Sequence, residues 1–140
     1  MITVEKLTPN QWKIYSANAH KIAFNELMNP DDDRIDFSLV SIFMDSICGY
    51  ITCREVDSKT LYWAYGGAMP NIKNTALSFK AYSLMAEKCK ESGYCRIFTL
   101  IENTNFTMLK FAMKIGFKII GTKTFKGSVL VEHVLEFKEE

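Results

Sequence analysis

Residues able to do metal or nucleophilic chemistry are sparse in this chain. The soft donors are four cysteines (Cys48, Cys53, Cys89, Cys95) and two histidines, His20 and His133. A zinc site needs such residues in close pairs, but no two cysteines form a CxxC pair and neither histidine lies near a cysteine pair. The same separation leaves no thiol with an imidazole to activate it, so thiol catalysis is not expected. The expectation is buried, reduced thiols in a cytoplasmic protein. A second feature points to a surface rather than a reaction. Between Phe106 and Ile115 the polar residues are Thr107, Lys110 and Lys114, on one line of a helix. Everything else there is apolar, so this helix asks for cover almost all round, by protein or by a ligand.

The elements that would position these residues follow from periodicity and turn chemistry. Met1 to Leu7 reads as a strand, and Gln11 to Met28 as a helix with Trp12, Tyr15, Ala19, Ile22 and Leu27 roughly on one face. Asn29 to Arg34, "NPDDDR", is the one loop-like polar stretch. Asp36 to Met44, Gly49 to Val56 and Thr60 to Met69 have strand character, separated by turns at Asp45-Ser46 and Asp57-Ser58-Lys59. Gly66-Gly67 inside the third predicts a bulge or a close backbone approach. A long helix spans about Asn74 to Ser92 and ends at Gly93. Tyr94 to Ile101 is apolar on both faces, as a strand covered on both sides would be. After the apolar helix, Gly116 fits a left-handed C-terminal position. Phe117 to Phe125 and Val129 to Phe137 then form a hairpin across Lys126-Gly127-Ser128. The order describes a single domain, residues 1–140, with one mixed α/β sheet and helices on its faces.

Composition bounds the function. The chain has 140 residues, 48 % hydrophobic and 24 % charged, with a net charge of +1. That is a globular balance with no excess of basic charge to suggest nucleic acid or a membrane surface. No apolar run reaches the ~18 residues of a membrane span, and the start of the sequence lacks a signal-peptide pattern.

Two motifs carry a resemblance to a known family. Ile101, then Asn105, then "FAMKIGF" (Phe111 to Phe117) and the strand "KIIG" match a layout ending in a "LYEKLGF"-like string. Ala68, Pro70, Lys73, Asn74, Ala76 and Ser78 keep the spacing of a V-x-P-x-x-[RQ]-G-x-G-x-[GA] loop, with every glycine replaced. With the element order, the sequence resembles the GNAT (GCN5-related N-acetyltransferase) family over nearly its whole length. The resemblance implies a mostly antiparallel sheet of about seven strands, splayed between strands four and five, with helices on both faces. It implies acetyl-CoA as co-substrate and a small-molecule or peptide amine as acceptor.

The site residues follow from the same resemblance. Ala68 and Met69 would offer the backbone N–H that meets the developing oxyanion. Lys73, Asn74, Thr75, Ala76, Leu77 and Ser78 would hold the pyrophosphate at a helix start, where free N–H groups and the helix dipole favour an anion. Asn105 would touch the cofactor. Tyrosine is the usual general acid in the family's helix string, but that position is Ala112 here. No carboxylate lies on the fourth strand, so Glu102 is the nearest candidate base and Tyr65 a second catalytic candidate. The loop after the first helix, "NPDDDR", would help shape the acceptor pocket. The apolar helix would be part groove wall, or be covered by the final hairpin or a second chain, which leaves a homodimer open. The rival expectation is a GNAT-like scaffold without catalysis, a binding or structural protein such as a phage virion component.

Overall fold

A computed structural model describes residues 1–12, 35–69, 72–73 and 75–137, with Tyr65 through its backbone alone. The elements are β1 (Thr3–Leu7), β2 (Phe37–Phe43), β3 (Ser46–Asp57), β4 (Thr60–Ala68), α1 (Ala76–Glu91), β5 (Arg96–Glu102), α2 (Phe106–Ile115), β6 (Lys118–Phe125) and β7 (Ser128–Glu136). The strands form one seven-stranded sheet in the order β1-β2-β3-β4-β5-β7-β6. Neighbours are antiparallel except β4 and β5, which run parallel. A parallel pair needs a crossover, and α1 supplies it.

Hairpins set the register at both ends of the sheet. Met44 and Asp45 have φ of 52° and 63°, and Lys126 and Gly127 have 50° and 79°. Two successive positive φ values make a turn whose twist matches the strands it joins. The first turn therefore lies one residue earlier than the expected Asp45-Ser46, and Ser46 already pairs with Phe43.

Alternation along the strands divides the core between two faces. On one, Leu39, Ile51, Leu61, Trp63 and Ile97 pack against α1 and α2. Met85 of α1 is fully buried there, which contributes roughly 1.5–3 kcal/mol. On the other, Trp12 packs on Tyr50 with ring centroids 5.1 Å apart, beside Leu7, Val40 and Met69. Trp12 lies in a helical stretch that includes residues 9–12. Thr8 N–H donates to Gln11 Oε1 at 2.8 Å, and Gln11 N–H donates to Thr8 Oγ1 at 3.3 Å. This reciprocal cap starts the helix two residues before the expected Gln11. The rest of the expected helix to Met28, and "NPDDDR", lie outside the described residues.

Cover on β5 and cover of α2 by the final hairpin are corrected. In β5, Ile97 and Ile101 are buried, but Phe98, Thr99 and Leu100 are only half-buried. In α2 only Ala112 is buried, while Phe106 and Met113 stay 68 % and 62 % exposed. The final hairpin does not cover them: in β6 every residue except Gly121 is exposed.

Candidate functional site

A single extra residue opens the middle of the sheet. β4 pairs with β5 from Thr60↔Arg96 to Trp63↔Thr99 and no further. Just beyond, two residues of β4, Ala64 and Tyr65, lie opposite Thr52 alone, between the pairs Cys53↔Trp63 and Ile51↔Gly66. A bulge of this kind bends and twists its strand. β4 turns away from β5 from that point, and a cleft of about 400 Å³ occupies the gap. Its walls include Ile51, Trp63, Ala64 and Gly66 on one side and Thr99 to Glu102 on the other. Met108, Ala112 and Ile115 of α2 line it too, so part of that helix's apolar surplus is cleft wall. Gly66 is needed there for space: a Cβ would sit 3.3 Å from Ile51 Cγ1 and 3.4 Å from Tyr50 O. The expected Gly66-Gly67 irregularity is thus a close approach, with the bulge just before it.

Backbone groups in β4 divide by their direction. Met69 N–H donates to Cys48 O at 2.9 Å, so it is not open to a ligand. In an antiparallel ladder the next residue in turns its N–H to the opposite edge. Ala68, paired with Gly49, and Gly66, paired with Ile51, are those residues. Their edge is the one β5 has left. Thr99 Oγ1 donates to Trp63 O at 3.1 Å, closing the floor of the cleft at the last strand pair.

The start of α1 leaves donors open. Thr75 is its cap: the Thr75 Oγ1 accepts from Ser78 N–H at 3.4 Å. Ser78 is itself buried. Ahead of it, Ile72 N–H and Lys73 N–H donate to Met69 O at 3.0 and 2.9 Å, folding the loop back on the strand. Among the described residues the N–H groups of Ala76 and Leu77 have no partner. Ala76 is exposed, and no acid occupies the first turn to offset the helix dipole. Asn74 lies outside the described residues.

Asn105 and Glu102 border the cleft from the far side. Asn105 caps α2, its Oδ1 accepting from Met108 N–H at 3.3 Å, which leaves its amide NH₂ for another partner. Glu102 is exposed at the end of β5, and its carbonyl accepts from Asn105 N–H at 2.9 Å. The side chain of Tyr65 lies outside the described residues.

One cleft residue escaped the sequence reading. Tyr82 of α1 lines the cleft and is the one phenol among its described lining residues. Its ring centroid is 6.4 Å from that of Phe111. Burial pushes its phenol above the usual tyrosine range, so it stays protonated. The signal was available: Tyr82 lies one helical turn beyond Ser78, on the same face. Ala112 stands across the cleft without an ionisable group.

The Cys53 thiol is not poised for attack, while its hydrogen bond to Cys89 lowers the pKa of the latter. Cys48, Cys53 and Cys89 are buried. Burial, then the neighbouring Cys89, pushes the Cys53 thiol up, away from the nucleophilic form. His133 is fully buried, its Nδ1–H donating to Val131 O at 3.0 Å. Among the described residues no group of three His, Cys, Asp or Glu side chains could hold a metal. No helix among them is long and apolar enough to cross a membrane.

No protein-family model matches the sequence, and none of the curated proteins matches it. Solved structures do match the fold. The ribosomal-protein-S18-alanine N-acetyltransferase of Escherichia coli superposes with a TM-score of 0.80 at 9 % identity, covering 100 % of this chain and 96 % of that one. A Bacillus subtilis acetyltransferase in complex with CoA gives 0.76 at 14 % identity over 99 % and 100 % of the two chains. A GNAT family acetyltransferase from Elizabethkingia anophelis with acetyl-CoA bound gives 0.74 at 14 % identity over 97 % and 98 %. The parted sheet, with a parallel pair at its centre and a helix start beside the gap, is the fold of the GNAT acetyltransferases.

Proposed function

We propose that this protein is an acyltransferase that moves an acetyl group from acetyl-CoA to an amine by direct transfer. The observation that carries the reading is the cleft where β4 leaves β5, flanked by the start of α1, whose first turn holds unpartnered N–H groups and no acid. The Ala76 and Leu77 N–H groups, with the Lys73 ammonium nearby, suit a pyrophosphate. Asn105 has an amide NH₂ to spare for the same ligand. The small residue at Ala76 does for approach what a glycine would do in the family's loop. Met69 and Ser78 drop out of the binding set, because the N–H of each already has a partner.

Acetyl-CoA supplies the activated acyl carbon when bound. The chain's own groups do the rest. The outward N–H groups of Gly66 and Ala68 suit the charge that develops on the carbonyl oxygen. Glu102 takes a proton from the incoming amine, directly or through water. Tyr82, held neutral by burial, donates a hydrogen bond to the departing thiolate, a contact that Ala112 cannot make, and the thiolate takes its proton from solvent. The apolar walls from Met108, Ile115 and Phe117 keep water off the thioester. Calorimetric titration with acetyl-CoA tests the reading: micromolar binding supports it, and no binding at millimolar cofactor overturns it. A second reading, a catalytically inactive scaffold, is favoured by the exposed Phe106, Met113, Ile119 and Val129 around α2 and the last hairpin. It is the reading left standing if that titration is silent.

A further inference from the structure

The opposite face of the sheet holds a second cavity, of about 300 Å³. Its side-chain lining is set by register. Arg54 lies across from Tyr62, Tyr62 from Phe98, and Leu100 from Glu132. Lys123 pairs with Leu130, which shares a face with Glu132. These six side chains therefore line one face, away from α1 and α2. Thr99 and Leu100 border both this cavity and the cleft. The two meet where β4 and β5 part, so a ligand on one face lies next to a thioester on the other.

The charges of this cavity are laid out in order. The Arg54 guanidinium stacks over the Tyr62 ring at 4.9 Å, which leaves its N–H edge for an acceptor. Phe98 and Leu100 continue an apolar floor across the middle. Glu132 stands at the far side, across β7 from Leu100, its carboxylate over Gly121 of β6, with Lys123 on the same edge strand. Among the described residues, none of Arg54, Lys123 and Glu132 makes an ion pair with another. Charges not paired with one another around a half-buried apolar floor suit a ligand of complementary charges. The volume is at the small end of ligand cavities, the size of one compact metabolite.

We propose that the acceptor is a small amine that also carries a carboxylate, bound in this cavity with its amine beside Thr99 and Leu100, where the cavity meets the cleft, and its carboxylate on Arg54 or Lys123. This names the substrate class for the acetyltransferase reading and rests on it. The carboxylate accepts two N–H bonds from a planar guanidinium, while an amine without it leaves that cation unmatched.

The experiment is calorimetry on the full chain with matched pairs: tyrosine and tyramine, phenylalanine and phenethylamine, 4-aminobutyrate and propylamine. Each pair is titrated with and without acetyl-CoA. The carboxylated member of at least one pair should bind about tenfold or more tightly, the worth of one charge-assisted hydrogen bond. Arg54→Met or Lys123→Gln should erase that preference and leave acetyl-CoA affinity unchanged. Lys123 is exposed on an edge strand, so its variant keeps the test alive if Arg54→Met does not fold. Equal binding within every pair, or binding of neither member, overturns the proposal. Phosphoethanolamine and ethanolamine are titrated as a fourth pair, and a preference confined to that pair overturns the proposal in favour of a phosphate-bearing amine. Loss of acetyl-CoA binding in the parent protein is a separate result, which sinks the acetyltransferase reading instead.

Discussion

Replacing Ala76 with glutamate sets two electrostatic effects of one helix end against each other. Ala76 is the exposed first residue of a 16-residue helix with no acid in its first turn. A carboxylate there meets the positive end of the helix dipole, worth about 0.3–1 kcal/mol to the fold. That roughly offsets the lower helix propensity of glutamate, so the variant should unfold at a temperature equal to the parent's or slightly above it. For acetyl-CoA the sign is reversed. The new carboxylate occupies the open N–H groups of Ala76 and Leu77 and repels the pyrophosphate. Each bond to a charged group is worth roughly 1.5–3 kcal/mol. Losing two weakens binding by about 10²–10⁴-fold. Ala76→Gln is the neutral control and should lose less than about tenfold. Calorimetric titration gives the affinities and a thermal melt gives the stability. Acetyl-CoA binding to Ala76→Glu within about threefold of the parent would refute the placement of pyrophosphate at this helix start. A variant that neither binds nor folds would refute the claim that the site is exposed and structurally undemanding.

Tyr82→Phe keeps the ring and removes the hydrogen-bond donor; the thiol of bound CoA should titrate about one pH unit higher than in the parent, read from thiolate absorbance, and an unchanged titration removes Tyr82 from the mechanism. Gly66→Ala forces a methyl to within 3.3 Å of Ile51 Cγ1, so it should cost about 1–3 kcal/mol in urea unfolding and narrow the cleft; a neutral result would show that the strands yield there. Asp57 accepts Lys59 N–H at 2.8 Å, and that bond, then Thr60, lowers its carboxyl from the usual value. A lowered folded pKa means stability present above the ordinary carboxylate range and lost as pH falls through the folded value. Between neutral pH and about pH 3, the parent should therefore lose more stability than Asp57→Asn, measured as unfolding midpoints.

What the sequence showed, it showed through local physics. Gly116 takes φ of 116° and closes α2 as its position foretold, because a left-handed cap is a property of the residue itself. The strands were visible as alternating runs, and their ends moved by one to three residues where a positive φ or a cap decided the boundary. Gly66-Gly67 hinted at an irregularity in β4, but the bulge's place at Ala64 and Tyr65 could not be read, since it depends on which residues of β3 face β4. Tyr82 was hidden for a related reason: its helix face was legible, but the cleft across from it exists only once β4 and β5 part. Of the covers expected for α2, the cleft takes Met108, Ala112 and Ile115 and the final hairpin takes none, because an apolar pattern states what a surface prefers, not what reaches it. Phe106 and Met113 found no partner among the described residues. The cavity behind the sheet gathers Arg54, Tyr62, Leu100, Lys123 and Glu132 from five strands, a distance in sequence that no local pattern spans.

The extra residue in β4 separates two things that a binding site usually has to inherit together. The opening is counted in residues: delete one at Ala64 or Tyr65, and the β3–β4 register runs on without its bend. The proposed phosphate contacts are written elsewhere, in the chemistry of residues 73–77. A chain built this way can exchange glycines for alanine and serine in its loop, or exchange them back, without rebuilding the gap. Its cofactor affinity is adjustable by point substitution, whereas its cleft is lost or gained only by insertion and deletion. Variation among relatives of this protein should therefore run freely through the loop and halt at the length of β4.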